Sequence, residues 1–347
     1  MVGRTRRHSA RSLMVGAALV MVPVVAAACS SSSTGSSGSS GSSGTSSGSS
    51  SYPVGSVTLV SPVTAGSNGD LIARELAKEI SLPPATVSVV DLSGGAGISG
   101  MTHVVQAAPD GSTIGLMPNG VALLQPQLSQ LPYGGPSTYT PIAQVTEEFD
   151  ALTVSADAKW KTFAQFISYA KANPGKVTVE VAPKGSVPNI NVHLLEKDAG
   201  VSFTLVPGIG AASAVTDLVG GHVDAVVGTI NSAQSYIKAG KMAALAVMAP
   251  SRLPAYPSVP TMKESGYDVE VAVSNILIGP PHLPASIVSQ LASAIHTAVT
   301  SSGFQQFATG SGVTVSYVSG AALTTLLSSQ YSSLGSYIKQ FYSSSGS

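Results

Sequence analysis

Twice in this chain of 347 residues a short β-branched run, a loop of small residues and a helix-period stretch follow one another. That recurrence limits the fold more than any other feature. The first instance is Val57–Ile80, where Val57–Val60 reads as a buried strand. A loop from Pro62 to Gly69 follows, and Leu71, Ile72, Leu76 and Ile80 then fall on one face of a helix. Asn68 or Asp70 is placed to cap that helix, and Gly66 and Gly69, lacking a Cβ, let backbone and solute approach closely. A bare loop at a helix N-terminus favours an anion, carboxylate as well as phosphate.

Further units follow in order. Strand Val87–Leu92 leads through Ser93–Gly97 into a helical run from Ile98 to Ala107, and the Pro109-Asp110-Gly111 turn leads into strand Thr113–Met117. Strands are expected at Pro141–Val145 and Ala151–Val154, and a helix over Lys161–Asn173. The pattern then restarts with strand Val177–Val181, loop Ala182–Pro188 and helix Asn189–Ala199. It continues through strands at Phe203–Val206, Val223–Val227 and Ala243–Ala249, with helices at Ala211–Val219 and Ser232–Ala239. A long strand over Asp268–Ile278 and helices over Pro284–Ser301 and Gly320–Phe341 complete the chain. Such alternation predicts an α/β fold of two lobes, each a mainly parallel sheet flanked by helices. Two interlobe crossings are expected, near Asp150–Val154 and Val271–Asn275. Lobe 1 then comprises 52–152 and 273–347, and lobe 2 comprises 153–272. Lobes hinged in this way close on a ligand at the carboxyl ends of their strands.

The N-terminal part supplies an address. Arg4, Arg6, Arg7 and Arg11 precede an apolar run that ends before Cys29, so residues 1–28 read as a signal peptide. Arg6-Arg7 leaves the general and the twin-arginine export routes both open. Cys29 is the only cysteine, and Val25-Ala26-Ala27-Ala28-Cys29 resembles a bacterial lipobox, which makes Cys29 the expected lipidation site. Ser, Gly and Thr alone make up Ser30–Ser51, so 29–51 is a lipidated cysteine and a flexible tether with a reach of roughly 25 Å. Removing the four signal arginines from 17 basic residues leaves 13 against 17 acidic, net −4. That balance offers nothing to nucleic acid or to a polybasic membrane patch. The expected location is extracytoplasmic, on the outer face of a bacterial membrane, with contact through the lipid alone.

Three chemical motifs lead nowhere. Gly95–Gly100 matches G-x-G-x-x-G between strand and helix, but no Asp or Glu stands between Asp110 and Glu147 to take a ribose. Gly44–Gly48 matches the G-x-S-x-G nucleophile elbow, yet lies inside the tether with no strand or helix to strain it. No two of the six histidines have metal-ligand spacing. Neither a cofactor nor a metal is expected, and no nucleophile–base pair marks an enzyme.

From Tyr52 onward an ordered set of segments resembles the solute-binding proteins of tripartite tricarboxylate transporters, the Bug-type receptors. These segments are Tyr52-Pro53, Pro62–Arg74, Gly94–Gly100, Pro109–Thr113, Ala172–Lys176, His193, Asp217–Asp224, Ala239–Lys241 and Pro260–Tyr267. The resemblance implies a two-lobed type II periplasmic-binding-protein fold without catalysis. It further implies capture of a small organic acid, as a monomer, for the membrane permease subunits of such a transporter. It places ligand-binding residues at Thr64, Gly66, Ser67, Asn68, Gly69 and Asp70 on the first lobe, and at Gly185, Ser186, Asn189 and Asn191 on the second. Departures from the family pattern remove positive charge and aromatic surface. The family's V-P-Y-K-G turn is Val206-Pro207-Gly208-Ile209-Gly210 here, and its crossing-strand tryptophan is absent from Ala272–Ile276. These changes favour a monocarboxylate or dicarboxylate over a tricarboxylate and leave an uncharged solute open. Rival readings are a ligand-presenting receptor for a sensor, an interaction protein with a degenerate cleft, and a secreted hydrolase.

Overall fold

Eleven strands form two mixed sheets among the described residues, and helices cover both faces of each. The computed structural model describes residues 52, 55–208 and 211–342. The signal segment, Cys29, the tether, Pro53, Val54, Ile209, Gly210 and the last five residues lie outside them.

Strand β1 (Ser56–Ser61) leads into helix α1 (Asn68–Glu79), β2 (Thr86–Asp91), α2 (Ile98–Val105) and β3 (Thr113–Pro118). A π-helical turn, Gly120–Leu124, continues into α3 (Gln125–Leu128), and β4 (Thr140–Glu148) follows. The chain then enters the second sheet with β5 (Asp150–Ser155), α4 (Phe163–Ala172), β6 (Thr178–Val181), α5 (Val187–Ala199) and β7 (Thr204–Pro207). Helix α6 (Ala211–Val219), β8 (Ala225–Thr229), α7 (Gln234–Lys238) and β9 (Met242–Val247) complete that sheet. Strand β10 (Val273–Gly279) returns to the first sheet, followed by α8 (Ala285–Thr300), α9 (Ser302–Ser311), β11 (Thr314–Ser319) and α10 (Gly320–Tyr342).

The first sheet runs β11-β4-β10-β3-β1-β2 and the second β7-β6-β8-β5-β9. The expected parallel blocks are β2-β1-β3 and β7-β6-β8. Each is extended by antiparallel strands, because the crossing strands β4, β5 and β10 run back against their neighbours. The first crossing falls at Phe149, slightly before 152, since Asp150 already pairs with Thr229 of β8. The expected long strand over 268–278 is shorter. Ahead of Val273, Asn191 takes the place of a neighbouring strand by accepting from the Val271 N–H (3.3 Å) and donating to the Val271 carbonyl (2.9 Å).

Period-two alternation sets the two faces of the second sheet. Val179, Val181, Ala225 and Val227 join Phe163 and Phe166 of α4 and Val192 and Leu195 of α5 in one core. Val226 faces the other way, toward Ala214, Val215 and Leu218 of α6. Each such aliphatic side chain contributes roughly 1.5–3 kcal/mol when fully buried. In the first sheet, Val60, Met117, Ile276 and Ile278 pack under the π-turn and α10. Val187 and Ile190, from the start of α5, enter that same cluster.

Candidate functional site

The loop after β1 and the start of α1 carry out their parts separately. Ser67 stands at the N-cap with extended backbone, and the first intrahelical bond runs from the Leu71 N–H to the Ser67 carbonyl (3.0 Å). The N–H groups of Asn68 and Gly69 precede that bond and have no intrahelical acceptor. Ser67 Oγ is buried and unpartnered. Thr64, Ser67, Asn68 and Gly69 line a cavity of about 340 Å³ with Ser93, Glu148 and Asn275. A second, larger cavity of about 530 Å³ adjoins it, sharing Thr64, Ser93, Ala96, Thr229 and Ser232. These cavities lie where loops of both sheets meet.

Two of the expected loop residues serve the fold instead. The Gly66 N–H donates to Asp70 Oδ2 (2.7 Å), and Asp70 Oδ1 pairs with Arg74 Nε (2.8 Å). Burial works against charge on Asp70, but the Gly66 amide and Arg74 outweigh it and hold its pKa below the usual value. Gly66 therefore has no free amide, and Asp70 is 2% exposed. Its carboxylate keeps the loop in shape; neither residue lines these two cavities.

The second-lobe residues divide in the same way. Gly185 and Ser186 line a third cavity, of about 180 Å³, between the π-turn and the start of α5. Ser186 caps α5 by accepting from the Asn189 N–H (3.4 Å) while its own hydroxyl donates to the Pro183 carbonyl (2.8 Å). Asn189 and Asn191 differ from the expectation because both amides are used inside the protein. Asn189 Oδ1 accepts from the Tyr342 hydroxyl. Asn191, fully buried, donates to Asp150 Oδ2 (2.8 Å) besides holding Val271.

Three buried acids that the sequence did not single out stand in or beside this place: Glu148 and Glu180 line the cavities, and Asp150 lies just beyond Glu148 in the interior. Glu148, the last residue of β4, accepts from the side-chain amides of Asn68, Asn275 (3.0 Å) and Asn231 (3.5 Å), donors drawn from both lobes. Its pKa is pushed up by burial, against the pull of those three donors. Burial and then the charge of Glu148 raise Asp150 to about 7, against the Asn191 hydrogen bond. Glu180, near the carboxyl end of β6, is 2% exposed and lines the larger cavity. The available signal was an acid among the β-branched residues of an expected strand, as Glu180 is in Val177–Val181. Buried acids in such runs are rare unless paired or functional.

The glycines of Gly95–Gly100 earn their place by packing. A Cβ on Gly100 would stand 2.9 Å from the Leu92 carbonyl oxygen and 3.0 Å from the Pro62 side chain, so α2 lies directly on the loop after β1. Among the described residues no group of acids, histidines or cysteines is set to hold a metal, and no helix is long and apolar enough to cross a membrane.

The profile of the family described as "Tripartite tricarboxylate transporter family receptor" matches residues 72–342. A protein of Agrobacterium vitis, described as "UPF0065 protein in the TAR-I ttuE-ttuC' intergenic region", is 34% identical over 72% of this chain and 72% of its own length. Among solved structures, MatC from Rhodopseudomonas palustris with bound malate is 29% identical. It has a TM-score of 0.73, covering 83% of this chain and 100% of its own. The periplasmic binding protein BugD is 28% identical with a TM-score of 0.73, covering 83% and 98%.

Proposed function

The chain belongs to the tripartite tricarboxylate transporter receptor family, and on that premise we propose that it captures a small organic acid between its two lobes and delivers it to membrane permease subunits. The observation that carries this reading is the start of α1. Ser67 Oγ and the N–H groups of Asn68 and Gly69 have no intrahelical partner and border the 340 Å³ cavity. A helix N-terminus with open donors suits a carboxylate, and the helix dipole adds to the attraction. The malate carried by MatC supports the same ligand class. The open cavities speak against a degenerate cleft, and no histidine lines them to serve as a base for a hydrolase.

In this reading the protein works as a monomeric, extracytoplasmic lipoprotein held through Cys29, and it has no catalytic role. The two sheets are the cores of lobes that close by rotation about the crossings at Phe149 and 248–272.

The test is thermal-shift and calorimetric screening of the purified protein against straight-chain mono- and dicarboxylates of three to six carbons. At least one acid is expected to raise the melting temperature and to bind in a 1:1 ratio. If no carboxylate does so while an uncharged solute class does, the reading is lost.

A further inference from the structure

Glu180 is a buried acid without a cation. It sits on β6 between Val206 of β7 and Val226 of β8, on the sheet face opposite to Val179 and Val181. Its Oε2 has no hydrogen-bond partner, although the residue is only 2% exposed. Its other oxygen lies 2.5 Å from where a Cβ on Gly208 would stand, so the missing side chain at 208 makes room for the carboxyl. A second acid adds to this: after burial itself, the charge of Asp217 and a side-chain hydrogen bond with it push the pKa of Glu180 further up. Burial and Asp217 hold the Glu180 carboxyl toward its neutral form, and a cation brought to the vacant Oε2 would stabilise the charged one.

The surroundings say what that partner is. Glu180 forms part of the wall of the 530 Å³ cavity, otherwise built largely from Val181, Val215, Val226, Val227 and Met242. No lysine, arginine or histidine lines this cavity or the one adjoining it. Lys184, by the third cavity, directs its ammonium over the Tyr342 ring at 4.6 Å. The joined space thus has open donors at one end, an apolar middle and an acceptor carboxylate at the other.

We infer that the solute is an amino acid in the broad sense: a carboxylate seated at the α1 N-terminus, an apolar spacer, and an ammonium group that donates to Glu180. This rests on the carboxylate reading above and narrows it from plain acids to zwitterions. A charge-assisted hydrogen bond from ammonium to a buried carboxylate satisfies the vacant Oε2 and supplies discrimination against an acid of the same length.

The experiment is isothermal titration of the purified full-length protein with three matched series from three to six carbons. They are ω-aminoalkanoates, the unsubstituted monocarboxylates and the dicarboxylates. The best aminoalkanoate is expected to bind about tenfold or more tightly than its matched monocarboxylate and dicarboxylate. Glu180→Gln is expected to erase most of that advantage while leaving the monocarboxylate affinity within about twofold. Should the Gln variant fail to fold by circular dichroism, the wild-type ranking decides alone. Tighter binding of dicarboxylates would overturn the inference, casting Glu180 as a protonated donor, while sparing the carboxylate reading. An aminoalkanoate preference that persists in a folded Glu180→Gln variant would also overturn it. Binding of alkylamines but of no carboxylate would remove the anion site at α1 and with it the zwitterion. No binding in any series would sink both.

Discussion

Asn191 and Asp150 meet in the interior, Nδ2 to Oδ2 at 2.8 Å, and so fix helix α5 to the strand that first enters the second lobe. Asp150 is fully buried, and its pKa stands at about 7, raised by burial and then by the charge of Glu148. The folded protein therefore holds this proton more tightly than the unfolded chain does. Its contribution to stability is complete below the unfolded value, near 4, and is lost as pH rises toward about 7. Melting temperature is expected to be higher at pH 5.5 than at pH 8, with a slope of up to about 1.4 kcal/mol per pH unit for one proton. Asp150→Asn should flatten that window. An unchanged slope in the variant would assign the effect elsewhere. Asp70, with its lowered pKa, acts in the opposite sense and at lower pH, where its support is lost on acidification.

Glu148 shares the smaller cavity with the start of α1, and an ionised carboxylate there opposes an incoming one. Glu148→Gln is expected to tighten binding of a simple monocarboxylate, and to do so more at pH 8 than at pH 5.5, because burial raises the Glu148 pKa and acidification neutralises it more readily than an exposed acid. Titration calorimetry at the two pH values decides this. Equal effects at both would mean that charge at 148 is not felt by the solute.

Glycines 66 and 100 separate two kinds of constraint. Gly66 has φ +79° with nothing near the place of a Cβ, so Gly66→Ala is expected to cost about 1 kcal/mol through backbone strain and to leave ligand affinity near wild type. Gly100→Ala would drive a methyl group into the Leu92 carbonyl and Pro62, with an expected cost of about 2 kcal/mol or more and a displaced β1–α1 loop. Urea unfolding with ligand titration checks both.

Cys29→Ala is expected to move the protein from the membrane fraction to the soluble one, with unchanged ligand affinity in the domain that follows. Retention in the membrane fraction would remove the lipid anchor.

The parallel blocks were legible because long β-branched runs alternate with apolar-periodic helices, and the loop at Pro62–Gly69 stood out by its lack of bulk. Strand β11 was not, since its residues are half-buried on a sheet edge and its pattern, TVSYVS, lacks a continuous apolar run. Within the site, Thr64, Ser67, Asn68 and Gly69 border the cavity as the loop composition suggested. Sequence spacing does not tell which polar groups are spent on the fold: Gly66 on Asp70, Asn189 on Tyr342, Asn191 on Asp150. Glu148 and Glu180 escaped notice because their importance comes from tertiary placement, where strands from distant parts of the chain exclude water around them.

Val187 and Ile190, carried by α5 of the second lobe, are seated among the first lobe's apolar side chains. Pulling them out would expose oily surface, and His193, stacked on Phe341 at 5.5 Å, would lose its companion as well. Any rotation of one half against the other that spares this contact must have it as its axis.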